Sequence, residues 1–332
     1  MPRATSHDVA RLAGVSQPTV SRALREDPRV AEATRRRVAA AAAQLGYVAS
    51  RRGRSLSTRT TGQVAVVVGD LGNAFYTEAI EHLHGELERA EQRMVVLTDA
   101  PEGAPATERL LDGSVDGAIL LTTLLDSPAP RELADRGLPV VLLNRSVDDE
   151  TVDACTSANA DGAQAAAAQL AALGHERVGA ILGPADTSTG RDREAGFRAG
   201  LAAHGIALPA ARVRRGPFSH DTGHRALGEL LAAAERPTAV FCANDVIAIG
   251  ALNAARGLGV DVPTELTVIG FDDIAMAAWD AFRLTTVRQD LAAMARAAVA
   301  LLLDRIGDPE RPGSRVVVPT RLVLRGSHAA RG

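Results

Sequence analysis

A glycine set between two short amphipathic segments, each opened by a hydroxyl residue, constrains the start of this chain more than any other feature. Thr5 stands where it can cap a first helix with Asp8 in the opening turn. Gly14 supplies a left-handed residue for a tight turn, and Ser16 stands at the cap of a second helix. Pro18 falls in the first turn of that helix, where a missing N–H does no harm. Helical spacing puts Val20, Ala23 and Leu24 on one face and Gln17, Pro18, Ser21, Arg22 and Arg25 on the other. The pattern predicts a helix-turn-helix whose second helix presents its polar face to a major groove. A three-helix bundle with no nucleic-acid partner is the alternative.

Charge is distributed unevenly along the chain. Residues 1–60 hold twelve of the 37 basic side chains and four of the 40 acidic ones, so a basic head precedes an acidic body although the formal total is −3. That asymmetry points to a nucleic-acid-binding end. Every basic residue is Arg, so the choice of Arg carries no meaning by itself, and Arg35, Arg36 and Arg37 read equally well as a solvated helix face.

With 332 residues, 46% of them hydrophobic, the chain can fill two or three domains. Arg3, His7, Asp8 and Arg11 interrupt any secretory signal, and no apolar run approaches the ~20 residues needed to span a bilayer. A cytoplasmic protein with no membrane partner is expected. Cys155 and Cys242 are too few to suggest a disulfide framework or zinc site and read as buried thiols.

A third helix carries Val38, Ala41, Ala42 and Leu45 at helical spacing and ends at Gly46-Tyr47, closing a headpiece over 1–47. Residues 48–62 are small, polar and basic, with one large apolar residue, Leu56, and read as a linker. From Gln63 the pattern changes. Strand candidates at Val64–Gly69, Met94–Thr98, Asp116–Leu121 and Pro139–Leu143 alternate with helical stretches near 75–91, 104–113 and 129–136. The alternation restarts with a helix at 163–173 and strands at Val178–Leu182, Thr238–Cys242 and Leu266–Phe271. Continuous apolar strands of this kind predict parallel α/β sheets buried on both faces, and a ligand site at their carboxyl ends, between two lobes.

These residues resemble the lactose-repressor (LacI/GalR) family of bacterial transcriptional regulators over essentially the whole chain. The motifs that carry the resemblance occur in the family's order: Asp8-Val-Ala-Arg-Leu-Ala-Gly-Val-Ser16, Thr19-Val-Ser-Arg22, Val66-Val-Val-Gly-Asp-Leu-Gly-Asn73 with Phe75, Leu173-Gly-His175, Arg193-Glu-Ala-Gly-Phe197, Asn244-Asp245, Val268-Ile-Gly-Phe-Asp-Asp273 and Leu284-Thr-Thr-Val287. The resemblance implies a small all-α headpiece joined to an α/β, two-lobed, periplasmic-binding-protein-like core over 63–328. The chain of that core would cross between lobes three times: one lobe about 62–160 plus 290–318, the other about 161–289 plus 319–328. It also implies a homodimer on double-stranded, pseudo-palindromic operator DNA, with Gln17, Pro18 and Arg22 against base edges and Thr5, Ser16, Thr19 and Ser21 holding phosphates or caps.

In the family the linker becomes a hinge helix in the minor groove, which would place Arg51, Gly53 and Arg54 on the DNA and Leu56 as a wedge between base pairs. Here Ala49, Ser50 and Gly53 depart from the usual proline, asparagine and alanine. Glycine in a helix costs about 0.5–1 kcal/mol relative to alanine, so the free hinge is expected to need DNA to order it, and Gly53→Ala to tighten operator binding.

Carried over position by position, the effector-facing residues are Asp70, Asn73, Phe75, Asn144, Arg193, Phe218, Asn244, Asp272 and Gln289. Carboxylates, amides and a guanidinium suit sugar hydroxyls, and Phe75 and Phe218, with Trp279, suit an apolar ring face. Each also has a structural reading, as a helix cap, a turn or packing between lobes. Ala74, Ala158 and Phe282-Arg283 depart from the family's pattern near the pocket. His175 reads as structural. The implied function is a repressor released by a small sugar or sugar derivative; the alternatives are a purine- or nucleoside-dependent regulator and a solute-binding protein. No nucleophile elbow, phosphate loop, zinc motif or paired catalytic carboxylate is found, so neither an enzyme, a metal nor a cofactor is expected.

Overall fold

In a computed structural model of the chain, residues 4–24, 26–47, 60–98 and 106–331 are described. The chain divides into two compact units that meet at Thr61–Gly62.

The first unit contains α1 (Ser6–Ala13), α2 (Gln17–Ala23) and α3 (Glu32–Gln44). Thr5 and Asp8 form a capping box: the Asp8 N–H donates to Thr5 Oγ1 at 3.3 Å and the Thr5 N–H to Asp8 Oδ2 at 3.0 Å. Gly14 adopts φ 63°, the left-handed conformation that turns the chain from α1 into α2. Ser16 occupies the cap position of α2 with extended backbone, but its hydroxyl pairs with the Thr19 hydroxyl at 2.8 Å and not with a helix N–H. Val9, Ala13, Val20, Ala23, Val38, Ala41 and Ala42 fill the core. Leu45, expected among them, is exposed. Gly46 at φ 59° reverses the chain, so that the Tyr47 N–H reaches Ala42 O at 2.8 Å and Tyr47 packs on the core in its place. The residues expected in a hinge, Arg51, Gly53, Arg54 and Leu56, and Arg25, expected on the polar face of the second helix, lie outside the described residues.

The second unit is built on two six-stranded sheets. The first holds β1 (Gln63–Val68), β2 (Arg93–Thr98), β3 (Gly117–Leu120), β4 (Val140–Leu143), β5 (Asp153–Ser157) and β11 (Arg315–Val318), all parallel, in the order β11-β5-β4-β3-β1-β2. The second holds β6 (Val178–Leu182), β7 (Val213–Arg215), β8 (Ala239–Cys242), β9 (Thr267–Asp272), β10 (Thr285–Gln289) and β12 (Thr320–Val323) in the order β12-β10-β9-β8-β6-β7, with β12 antiparallel. The two orders correspond strand for strand. The chain passes between the sheets after β5, after β10 and after β11, the last time with only Pro319 intervening.

Helices α4 (Ala74–Arg89), α5 (Ala106–Leu110), α6 (Ala129–Asp135) and α11 (Leu291–Gly307) accompany the first sheet; α7 (Asn159–Ala172), α8 (Ser188–Ala203), α9 (His220–Ala232) and α10 (Asp245–Gly257) accompany the second. β3, β4, β6, β8 and β9 are buried at every residue, as continuous apolar runs require. Among the described residues, five strands lie outside the sequence's strand candidates: β7, β11 and β12, and also β5 (Asp-Ala-Cys-Thr-Ser) and β10 (Thr-Thr-Val-Arg-Gln), the last two polar-rich and buried by neighbouring strands. Buried Asp153 on β5 binds Arg305 at 2.9 Å, Arg311 at 2.7 Å and the Ser314 N–H at 2.8 Å, fixing the end of α11 to this sheet. His175 is buried with Nδ1 2.9 Å from the Thr238 hydroxyl and Nε2 donating to Ala329 O at 3.1 Å, a structural role in holding the C-terminal segment.

Candidate functional site

On the first unit, Pro18 and Arg22 are exposed, while Gln17 and Ser21 are half-buried. Gln17 Nε2 donates to Ser6 Oγ at 3.3 Å, which props its amide beside the start of α1. Arg22 makes no ion pair among the described residues, so its planar fork of donors stays available. Thr5 spends its hydroxyl on Asp8 at the start of α1, and Ser16 and Thr19 spend theirs on each other at the start of α2.

In the second unit, the segments that follow β1 and β4 of one sheet meet those that follow β6, β8 and β9 of the other. They border a cleft, open on one side and of about 260 Å³ with the solvent at its mouth, lined by Asn73, Phe75, Tyr76, Asn144, Arg145, Thr189, Arg193, Phe218, Asn244 and Asp272. Each lining residue is placed by local geometry. Asn73 caps α4, its Oδ1 accepting the Phe75 N–H at 3.1 Å, which sends Phe75 and Tyr76 inward as an edge-to-face pair with centroids 5.5 Å apart. Asn244 caps α10 through Oδ1, accepting from Ile247 N–H at 3.0 Å, which leaves its amide nitrogen and the oxygen's second lone pair for a ligand. Thr187 caps α8 with Gly190 N–H donating at 3.0 Å, which sets Thr189 and Arg193 one turn apart on the inner face.

Arg193 is the centre of the site. Its Nε donates to Asn159 Oδ1 at 2.8 Å, Nη1 to Ala243 O at 2.7 Å, and Nη2 lies 3.1 Å from Asp272 Oδ1, while the guanidinium stands 3.8 Å from the centroid of Phe271. Nη1 and Nη2 each keep a second N–H. Asp272 Oδ1 also accepts from Gln289 Nε2 at 2.7 Å. Burial raises the Asp272 carboxyl to about 6 against the pull of Arg193, and the same burial lowers Arg193, so desolvation outweighs the attraction within the pair. Asp245, entirely buried beside them, accepts from the Thr286 hydroxyl and the Ile274 N–H, and burial pushes its carboxyl well up.

Non-glycine residues with positive φ collect at the rim of the cleft: Asn144 at 70°, Asp272 at 121° and Asp273 at 60°. Strain of this kind persists where surrounding structure fixes it, and it clusters at ligand sites. Two buried polar atoms of the lining, Asn144 Oδ1 and Arg145 Nε, have no partner. The lobes are joined across the cleft by Ser146 N–H on Ser188 Oγ (2.9 Å), Leu125 N–H on Asp186 O (2.9 Å), Ala275 N–H on Glu78 Oε1 (2.8 Å) and the Arg191–Asp148 ion pair (3.2 Å).

Seven of the nine nominated residues therefore line one cavity. Asp70 does not: it is exposed, its carboxylate turned back onto the Gly72 N–H at 2.7 Å. Gln289 lies behind Asp272, bonded to the Ser157 hydroxyl on the other side. Trp279 is 55% exposed and stacks on Phe282. Tyr76, Arg145 and Thr189 were not nominated. Thr189 lies four residues before Arg193 and Tyr76 three after Asn73, spacings that share a helix face and would have found both.

Residues 5–50 match the family described as bacterial regulatory proteins, lacI family, and residues 167–328 match the periplasmic binding protein-like domain. The chain is 35% identical to the HTH-type transcriptional regulator CelR of Thermobifida fusca over 98% of each chain. It is 33% identical to the HTH-type transcriptional repressor CytR of Escherichia coli (strain K12), over 98% of this chain and 97% of that one. Among solved structures, the lac repressor dimer bound to operator and the anti-inducer ONPF superposes with TM-score 0.88 at 27% identity, over 99% of this chain and 100% of the other. A CelR–cellobiose complex gives 0.75 at 33% identity, over 98% and 100%. No helix among the described residues is long and apolar enough to cross a membrane.

Proposed function

The chain belongs to the lacI family of bacterial regulatory proteins and is a transcriptional regulator, not an enzyme; from that premise we propose a cytoplasmic repressor whose hold on DNA is set by a small polyhydroxylated ligand between its lobes. The observation that carries this reading is the polar cleft around the Arg193–Asp272 pair, on the same chain as a helix-turn-helix with Pro18 and Arg22 exposed.

Two protomers would present two recognition helices to a pseudo-palindromic operator. Gln17, Pro18 and Arg22 would face base edges, with Arg22 suited to guanine O6 and N7, and Thr5, Ser16, Thr19 and Ser21 would serve register. A sugar or sugar derivative, as in the CelR–cellobiose complex, would find hydroxyl partners in Asp272, Arg193, Asn144, Asn73 and Asn244, and ring faces in Phe75 and Phe218. Ligand and operator then compete through one equilibrium between lobe arrangements, and the ligand shifts it only by its difference in affinity for the two. Release by ligand is the direction proposed.

The aromatic triplet Phe75, Tyr76 and Phe218 favours a second reading, a purine or nucleoside stacked in the same cleft. Fluorescence anisotropy on the fragment upstream of the gene, titrated with sugars, sugar derivatives and nucleosides at fixed salt, decides between them. Sequence-specific binding lost on adding a sugar supports the proposal. Binding that appears only with a nucleoside supports the second reading, and no sequence preference under any condition ends both.

A further inference from the structure

Arg145 is a buried cation without an anion. It is 8% exposed and lines the cleft, yet no carboxylate among the described residues lies within ion-pair distance of it. Its Nη1 donates to Thr122 O at 2.9 Å and its Nη2 to the Tyr76 hydroxyl at 3.2 Å, which fix the plane of the guanidinium and leave Nε buried and unpartnered. Beside it in the chain, Asn144 holds an amide oxygen that is also buried and unpartnered. The other charges of the lining cancel, since Arg193 and Asp272 pair with each other. The lining therefore has an excess of one positive charge, carried by a largely buried side chain whose Nε is closed off from solvent.

A desolvated guanidinium with free N–H groups is stable only when something supplies the missing charge or acceptors. The edge formed by Nε and Nη2 is the one that holds an oxyanion through two parallel hydrogen bonds, and Nη2 has a second N–H beyond the one on Tyr76. We propose that the effector of this cleft is anionic, a sugar acid or sugar phosphate whose oxyanion sits on Arg145, with a neighbouring hydroxyl donating to Asn144 Oδ1. This rests on the cleft being the effector site and narrows the class of ligand it takes. Tyr76 acts as a positioning residue by orienting the guanidinium.

The test offers the full-length dimer matched series of six-carbon sugars, each as the neutral aldohexose, the 6-carboxylate and the 6-phosphate, with inorganic phosphate alone as a further probe. Binding is read by calorimetry and thermal shift at constant ionic strength. An anionic member binds at least about tenfold more tightly than its neutral parent, and inorganic phosphate raises the melting midpoint. Whether carboxylate or phosphate binds better identifies the source of the oxyanion. Arg145→Gln removes the discrimination and the phosphate effect, while Arg145→Lys keeps part of both; the comparison within the unaltered protein stands even if Arg145→Gln does not fold. A neutral sugar that binds as well as its charged partners, with binding abolished by Arg193→Ala, overturns the anionic inference but leaves the cleft as the effector site. Ligand binding indifferent to Arg193→Ala overturns both, and no binding by any member of the panel overturns the anionic inference together with the sugar reading it rests on.

Discussion

Arg193 and Asp272 form an ion pair of 3.1 Å in which each side chain is less than 5% exposed, at the point where the strand ends of the two lobes converge. Neither residue is there to fasten the fold cheaply, since burial works against both charges. The pair is held by Asn159, Ala243 and Gln289 around it and remains able to bond a guest.

Breaking this pair from one side is expected to be costly. Asp272→Leu strands a buried guanidinium and should lower stability by about 3–5 kcal/mol, as Arg193→Met does by stranding the carboxylate, whereas the double change Arg193→Met with Asp272→Leu should lose less than either single change. Denaturant unfolding of the four proteins measures the coupling; strictly additive losses would refute it.

The Asp272 carboxyl, raised to about 6 from 3.8, fixes a pH window. Between these values the folded state binds the proton more tightly than the unfolded state, so Asp272 contributes stability at low pH that is lost as pH rises through 6. The difference in melting midpoint between the natural protein and Asp272→Asn should therefore shift against the natural protein from pH 4 to 6 and then level. Over the same window, effector affinity should weaken as pH falls below 6 in the natural protein, because the protonated acid is a poorer acceptor, and stay flat in Asp272→Asn.

Gly196 marks the closest approach of α8 to α7. A Cβ there would lie 2.2 Å from Ala160 O and 2.6 Å from its Cα, backbone atoms that cannot swing away. Gly196→Ala is expected to force the helices apart at a cost of about 1–3 kcal/mol and, because Arg193 is one turn earlier, to weaken effector binding as well. Thermal unfolding with a ligand titration checks both; an unchanged midpoint would mean the helices yield freely.

On the operator, Arg22→Ala should cost about 1–3 kcal/mol and relax preference at one base pair of each half-site, while Thr19→Ala should weaken binding evenly across sequences. Competition assays at fixed salt with single-base operator variants separate the two patterns. Equal loss at every position for Arg22→Ala would reassign it to the phosphates.

Much of the architecture was legible. The capping box at Thr5 and Asp8, the turn at Gly14 and the apolar strands of both sheets appear where their local signals put them, because caps, φ > 0 and two-sided burial act over a few residues. Asp70 shows the limit of such reading. It follows β1, at the sheet end where ligands gather, but an acceptor two residues from a glycine N–H closes its own turn instead. Arg145 shows the converse: nothing in its neighbours marks it, and its meaning comes from Thr122, Tyr76 and the lack of a carboxylate within ion-pair distance among the described residues.

Helices, turns and the apolar interior of each sheet were thus settled by residue order, since each depends on contacts close along the chain. The cleft was settled by assembly. Three passages between the sheets bring Asn73, Asn144, Arg193, Asn244 and Asp272 to one place, and only there does exclusion of water raise a carboxyl to about 6 and leave a guanidinium seeking an anion. Desolvation belongs to the packed lobes and not to any stretch of sequence, so the charge of the site could be read only from the folded molecule.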